Sequence, residues 1–421
     1  MKQTGSISSQ AADLFARLNW PSVQEEAWRR TDLGRLLPKG LLDETAAHSC
    51  GRRLDAAEDY DTPALPKNFA ARVILHAHRP VAITISEEAE SAGLVITWVS
   101  PDNLSPGLLA MGQEELDQNP NRITAWHWRD VLGVLVIQAP ENACIEAPIF
   151  IEEHLLGGIS EDFLFCAPHL HVETGIGAAL NIVWGMEGFS TPGNRIKPVV
   201  NANLTCSADA NSRVRVILRQ NLGDDAVFFF SGNLRVKDHG KICFTESHLG
   251  GLLVKTHTRV LLGGEGADAV LKGLFAAEEG RHIDIGTDQD HCHPHGTSYA
   301  LYKGAVKGGG RAVFQGLIQV KPDAKKTDAY LTNKNLILGD GARADSMPQL
   351  DILTDDVRCS HGSTTGKLDE GQLFYLQSRG YNREEAVLEL TRAFLAETLE
   401  GLPESVAVFL VQDIDYALEK G

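Results

Sequence analysis

Cys359-Ser360-His361-Gly362 places a thiol and an imidazole two positions apart. On an extended segment side chains repeat every second residue, so both point to one side. Both are good ligands for iron or zinc, but two ligands do not complete a metal site. The same residues also suit a turn with an inert cysteine and a hydrogen-bonded histidine. A second cluster is Asp288-Gln289-Asp290-His291-Cys292-His293-Pro294-His295. If it stays extended, His291, His293 and His295 face one side as a candidate metal or acid–base group. The alternative is a solvated histidine ladder. Asp284, Asp288 and Asp290 are the carboxylates that a polysaccharide-active enzyme would pair across a groove. Gly362–Lys367 imitates a phosphate-binding loop, but only three residues separate its glycines, and Leu368 stands where a magnesium-binding Ser or Thr is required. That rejects nucleotide hydrolysis by this chain.

The elements that position these residues change character along the chain. Residues 1–68 read as helical: Ala11, Leu14, Phe15 and Leu18 share one face at helical spacing. From Phe69 the pattern becomes short, closely spaced strands rich in Val, Ile and Leu, such as Ala71–Ala77, Arg213–Leu218 and Arg311–Gln319. No helix of a dozen residues is expected between them, which excludes a βαβ protein. A Gly-x-Gly-Ala motif recurs at Gly175, Gly264 and Gly339. Repetition of this kind favours a parallel β-helix with three short strands per coil and glycine at the corners. A Greek-key barrel with glycine hairpins is the alternative. The expected architecture is mainly β: a right-handed parallel β-helix over 69–358 between an N-terminal helical region (1–68) and a C-terminal helical domain (359–421). Helices before and after the solenoid are placed to cap its open ends. The last helix carries Val406, Phe409, Leu410 and Ile414, and a unit of this size shares such a stripe with the solenoid or a partner.

The net charge of −17 argues against sequence-independent nucleic-acid binding and an anionic membrane surface. No run approaches a membrane span, and the first residues lack the apolar core of a signal peptide. Seven scattered cysteines without a C-x-x-C read as reduced, so the expected setting is the cytoplasm.

Asp355-Asp-Val-Arg-Cys-Ser-His-Gly through Gly380 resembles the C-terminal signature of the SufB/SufD family of iron–sulfur cluster assembly scaffolds. Glu26-Ala-Trp28-Arg-Arg-Thr31-Asp32 resembles its N-terminal motif, and Thr297-Ser298-Tyr299 with Lys303-Gly304 its core motif. His361-Gly362 and the modest length look like the SufD side. The resemblance implies a non-catalytic subunit that pairs with SufB through the β-helix ends and binds the SufC ATPase through the C-terminal helices, here Phe409, Leu410 and Ile414. It implies a transient cluster or iron at the SufB interface near His361, with Cys359 assisting, and sulfur arriving indirectly from a donor. A reduced flavin is implied for the complex without a mappable site. For the isolated chain a homodimer is an open fallback state, which the sequence does not decide. A purely structural interaction solenoid and the polysaccharide enzyme are the competing readings.

Overall fold

The computed structural model describes residues 6–37, 40–42, 68–118, 120–156, 163–189 and 197–420. Two sheets stack face to face and share one core. The first contains β1 (Ala71–His76), β2 (Arg79–Ile85), β5 (Cys144–Leu156), β8 (Ala179–Phe189), β10 (Arg213–Asn221), β12 (Lys241–His248), β14 (Asp268–Ala277), β16 (Thr297–Lys307), β18 (Asp328–Leu338) and β20 (Arg358–Gly366). The second contains β3 (Val95–Val99), β4 (Val134–Ala139), β6 (Phe163–Cys166), β7 (His169–Thr174), β9 (Lys197–Ala208), β11 (Val227–Val236), β13 (Leu253–Leu262), β15 (His282–His291), β17 (Arg311–Val320) and β19 (Arg343–Ile352). The chain alternates between the sheets, and neighbours within each sheet are parallel except β1–β2 and β3–β4. This is a parallel β-solenoid with two long strands per coil, not three short ones.

The register explains why these sequences make this shape. Ala71, Ile149, Ile182, Val216, Phe244, Leu271, Ala300 and Leu331 stack in one inward column, one residue per coil. All are buried. Each removes its apolar surface from water against the residues above and below, worth about 1.5–3 kcal/mol for a Leu, Ile or Val. Two glycines within the coils make room for rings. A Cβ on Gly273 would stand 2.2 Å from the Tyr302 ring, and one on Gly304 would stand 2.0 Å from Phe275.

The corners correct the repeat reading. Gly177 and Gly266, both at positive φ, turn the chain from the second sheet to the first, whereas Gly341 lies at the opposite corner. The same corner in other coils is made by Asn142, Asn211, His239, His295 and Lys326, also at positive φ. The glycine motif therefore sampled a device that other residue types carry as well.

The helices also depart from expectation. Besides α1 (Ile7–Arg17), α2 (Leu33–Leu36) and α3 (Glu87–Ser91), two helices interrupt the strand region: α4 (Pro106–Gln118) and α5 (Arg122–Asp130). Ser105 accepts from the Leu108 amide before α4, and Asn121 caps α5 through the Thr124 amide. With α1 and Trp28 they cover the outer face of the second sheet, over Val199, Val227, Phe229 and Leu253. α6 (Glu370–Ser378), α7 (Arg383–Ala396) and α8 (Glu404–Lys420) follow β20. α7 and α8 cover the outer face of the first sheet, over Phe150, Val183, Ile217 and Leu274. The helical units thus lie on the faces of the solenoid, not across its ends, and strands continue to Gly366.

Candidate functional site

Cys359 and His361 sit on β20, the last strand of the first sheet. Cys359 pairs in register with Ala329 and His361 with Leu331, both fully buried inward positions. His361 therefore ends the apolar column that begins at Ala71, and Cys359 ends the column containing Leu180, Val214 and Ile242. Period two brought the two side chains to one side, as expected. Among the described residues no strand lies beyond β20 or β19, so His361 is exposed and Cys359 is half-buried. Burial raises the Cys359 thiol pKa above its ordinary value, which keeps it largely protonated. Two donors at an uncovered end can contribute to a metal site but cannot close one. No group of three or more His, Cys, Asp or Glu that could hold a metal ion occurs among the described residues.

The other candidates disperse. His291 is buried in a core column between Leu262 and Val320, and its Nε2 lies 2.8 Å from Ser298 Oγ. Burial lowers its pKa to about 4. β15 ends at His291, and Pro294 and the positive φ of His295 turn the chain away, leaving His293 and His295 exposed at a corner. The three histidines do not converge, because the extended geometry stops at the first.

The three aspartates are closed on cations. Asp284 is fully buried, 2.9 Å from Lys255 Nζ, and accepts from the Thr31 hydroxyl and from Gln315. Asp288 lies 3.1 Å from His257 Nε2, and Asp290 accepts from Arg259. A carboxylate held this way is a poor general acid or base. The same network explains the N-terminal motif. Thr31 reaches into the second sheet to Asp284, and the Lys255 ammonium lies 5.2 Å over Trp28.

At the C-terminal end, Leu410 and Ile414 are fully buried against the first sheet, and Phe409 packs on Phe150. All three fasten α8 to the solenoid; Leu410 and Ile414 have no surface left for a partner, whereas Phe409 is partly exposed. Arg219 donates two hydrogen bonds to Asp413, at 2.7 and 2.8 Å, across this junction. Lys303 of the core motif is buried and donates to the Phe394 carbonyl and to Glu397.

Two features escaped the sequence reading. Phe374, Tyr375 and Tyr381, at 73%, 57% and 42% exposure, cluster on and just after α6, whose one buried residue is Leu373. Adjacent aromatics within a helix cannot share one buried stripe, and that was the available signal. Inside the solenoid, Glu246 accepts from Tyr302 Oη at 2.8 Å and lies 2.7 Å from His248 Nε2, all three fully buried.

The geometry is that of a two-sheet parallel solenoid whose last strands are uncovered among the described residues, with Cys359 and His361 on the final one. Residues 158–394 match the family described as SUF system FeS cluster assembly, SufBD core domain. The chain belongs to this family of iron–sulfur cluster assembly proteins. It is 42% identical to the iron–sulfur cluster assembly protein SufD of Escherichia coli over 154 residues, 37% of this chain and 36% of that protein. It is 36% identical to a SufBD family protein of Mycobacterium leprae over 205 residues, 47% of this chain and 52% of the relative. A SufBD family protein of Mycobacterium tuberculosis is 34% identical over 227 residues, 52% of this chain and 57% of the relative. The matched part thus spans about a third to somewhat over half the length of these relatives.

Proposed function

We propose that the chain is the SufD-like subunit of a cluster-assembly scaffold and that its open end pairs with a SufB-like subunit. The observation that carries this reading is the core column that runs through buried apolar residues and stops on an exposed histidine. Unpaired edges invite pairing with another chain, and a second solenoid end would bury the last coil. The cargo, iron or a nascent cluster, is held between His361 and ligands from the SufB-like chain, with Cys359 alongside. A transfer scaffold suits few ligands, since a permanent cluster takes four thiolates. The subunit itself is non-catalytic. ATP is hydrolysed by a SufC-like partner that docks on the C-terminal helical unit through Phe374, Tyr375 and Tyr381, not through the buried Leu410 and Ile414. Sulfur reaches the site through the SufB-like subunit, a reduced flavin serves the complex at a site not assigned to these residues, and the setting is cytoplasmic. Among the described residues no helix is long and apolar enough to cross a membrane. Without its partner the same edges allow a homodimer.

The test is anaerobic co-purification with SufB-like and SufC-like partners, followed by the visible spectrum after iron and sulfide are supplied. A ternary complex gains cluster absorption and loses it with His361→Ala, while Phe374→Ala with Tyr375→Ala releases the ATPase. Full absorption in His361→Ala removes the assignment of the site. A chain that binds neither partner removes the scaffold reading.

A further inference from the structure

A groove of about 500 Å³ opens on the outer face of the second sheet, between α4 and the turn that carries Trp28. It runs across the second sheet from Asn201 and Asn203 on β9 to Leu317 and Gln319 on β17, and its residues take no part in the function proposed above. Its volume is in the range of small-molecule sites. Its inner wall holds Glu115, which is 6% exposed. Glu115 accepts from Trp128 Nε1 at 2.9 Å, Ser231 Oγ at 2.7 Å, and Asn203 Nδ2 at 3.0 and 2.9 Å.

All of these donors are neutral. The cations of the groove are already engaged: Arg235 with Glu114, Lys255 with Asp284, and Arg259 with Asp290. Among the described residues no ion pair reaches Glu115. Burial accordingly raises its pKa. Beside it, Asn203 is 1% exposed, and its Oδ1 is buried without a donor. A buried acceptor left without a donor costs about 1–3 kcal/mol. The groove therefore offers an uncompensated carboxyl and an idle amide oxygen, with Met111, Ile123 and Phe229 as apolar lining. A buried amide oxygen without a donor calls for an N–H, and a carboxyl held by neutral donors alone calls for positive charge. The net charge of −17 raises the local concentration of cations.

We propose that this groove binds a small organic cation, a primary alkylammonium whose head contacts Glu115 and Asn203 Oδ1 and whose stem lies along Met111, Ile123 and Phe229.

The test is calorimetric titration of the full chain with 1,6-diaminohexane and with its neutral counterpart 1,6-hexanediol, at about 0.15 M salt so that exposed surface charge is screened. The diamine is expected to bind at least tenfold more tightly than the diol, and Glu115→Gln is expected to abolish that preference. Equal binding of the two, no binding of the diamine, or a preference that survives Glu115→Gln overturns the proposal. The Trp128 indole N–H resonance of the unsubstituted chain gives a readout that needs no variant. It shifts when the diamine saturates the groove, and an unmoved resonance overturns the proposal.

Discussion

The two ends of the solenoid solve the same problem in opposite ways. At the N-terminal end the chain turns back on itself. β2 pairs antiparallel with β1, β3 pairs antiparallel with β4, and α3 tucks Ala89 against the core, followed by Leu94. The first core layer, with Ala71, Val73 and Leu75, is fully buried as a result. At the C-terminal end nothing among the described residues turns back. β19 and β20 keep their parallel direction, and their inward positions grow polar: Asn333 and Asn335 on β18, then His361, Ser363 and Thr365 on β20. Antiparallel reversal closes a parallel stack, because the reversed strand offers the solenoid an outer edge that does not continue the coil. Under the proposed pairing, the end without reversal is the one that a second chain covers.

Acid gives the largest expected contrast. Near the closed end, His127 Nδ1 donates to the Asn201 carbonyl, and its Nε2 lies 3.0 Å from His169 Nδ1. His169 Nε2 and His171 Nδ1 both contact Thr205 Oγ1. Burial lowers the pKa of all three histidines, to about 4 for His127 and His171. A histidine buried neutral adds stability above its unfolded pKa near 6.5, and that stability is lost as pH falls from there to its folded pKa. Each of His127 and His171 contributes about 3 kcal/mol at neutral pH by this linkage. Urea melts at stepped pH should show stability falling from about pH 6.5 toward pH 4. The loss should shrink in a His171→Gln variant; an unchanged slope removes the histidine chain as its cause.

Core truncation should separate the ends next. Leu75→Ala at the closed end is expected to cost about 2–5 kcal/mol in denaturant unfolding. Ile352 occupies the last, partly exposed place in its column, beyond Val320. Ile352→Ala in the free chain is expected to cost about 1 kcal/mol, because a half-exposed side chain has less buried surface to lose. Equal costs would mean that the open end is covered in solution. His361→Ala should move the stability of the free chain by less than about 0.5 kcal/mol, as an exposed substitution does. A larger loss would make His361 a structural residue.

Much of this was legible in the sequence. The Val, Ile and Leu runs marked the strands because inward columns demand such residues in every coil. Cys359 and His361 do lie on an extended segment, since β20 runs on to Gly366, although the helical domain was expected to begin at residue 359. The reading failed where a local rule was carried past its element. His293 and His295 lie beyond the end of β15, so period two no longer applied. Asn142, Asn211, His239, His295 and Lys326 adopt the left-handed backbone usually associated with glycine, which hid most of the corner repeat. α4 and α5 were overlooked because strands on both sides set the expectation, although Ser105 and Asn121 supplied their caps. The fate of the C-terminal stripe was undecidable in sequence, since a solenoid face and a partner demand the same apolar residues.

The junction between the first sheet and the C-terminal helices has a mechanical consequence. Arg219 on β10 is tied to Asp413, Lys272 on β14 donates to the Glu400 carbonyl, and Lys303 on β16 is tied to Glu397. Coils of a solenoid touch only their neighbours, so such a stack can bend or shear at any joint. A helical unit fastened at three separate coils acts as a splint along that stack. A push on the helices would therefore move the coils from β10 to β16 as one rigid body, while the last coil beyond them follows only through its contacts with its neighbour.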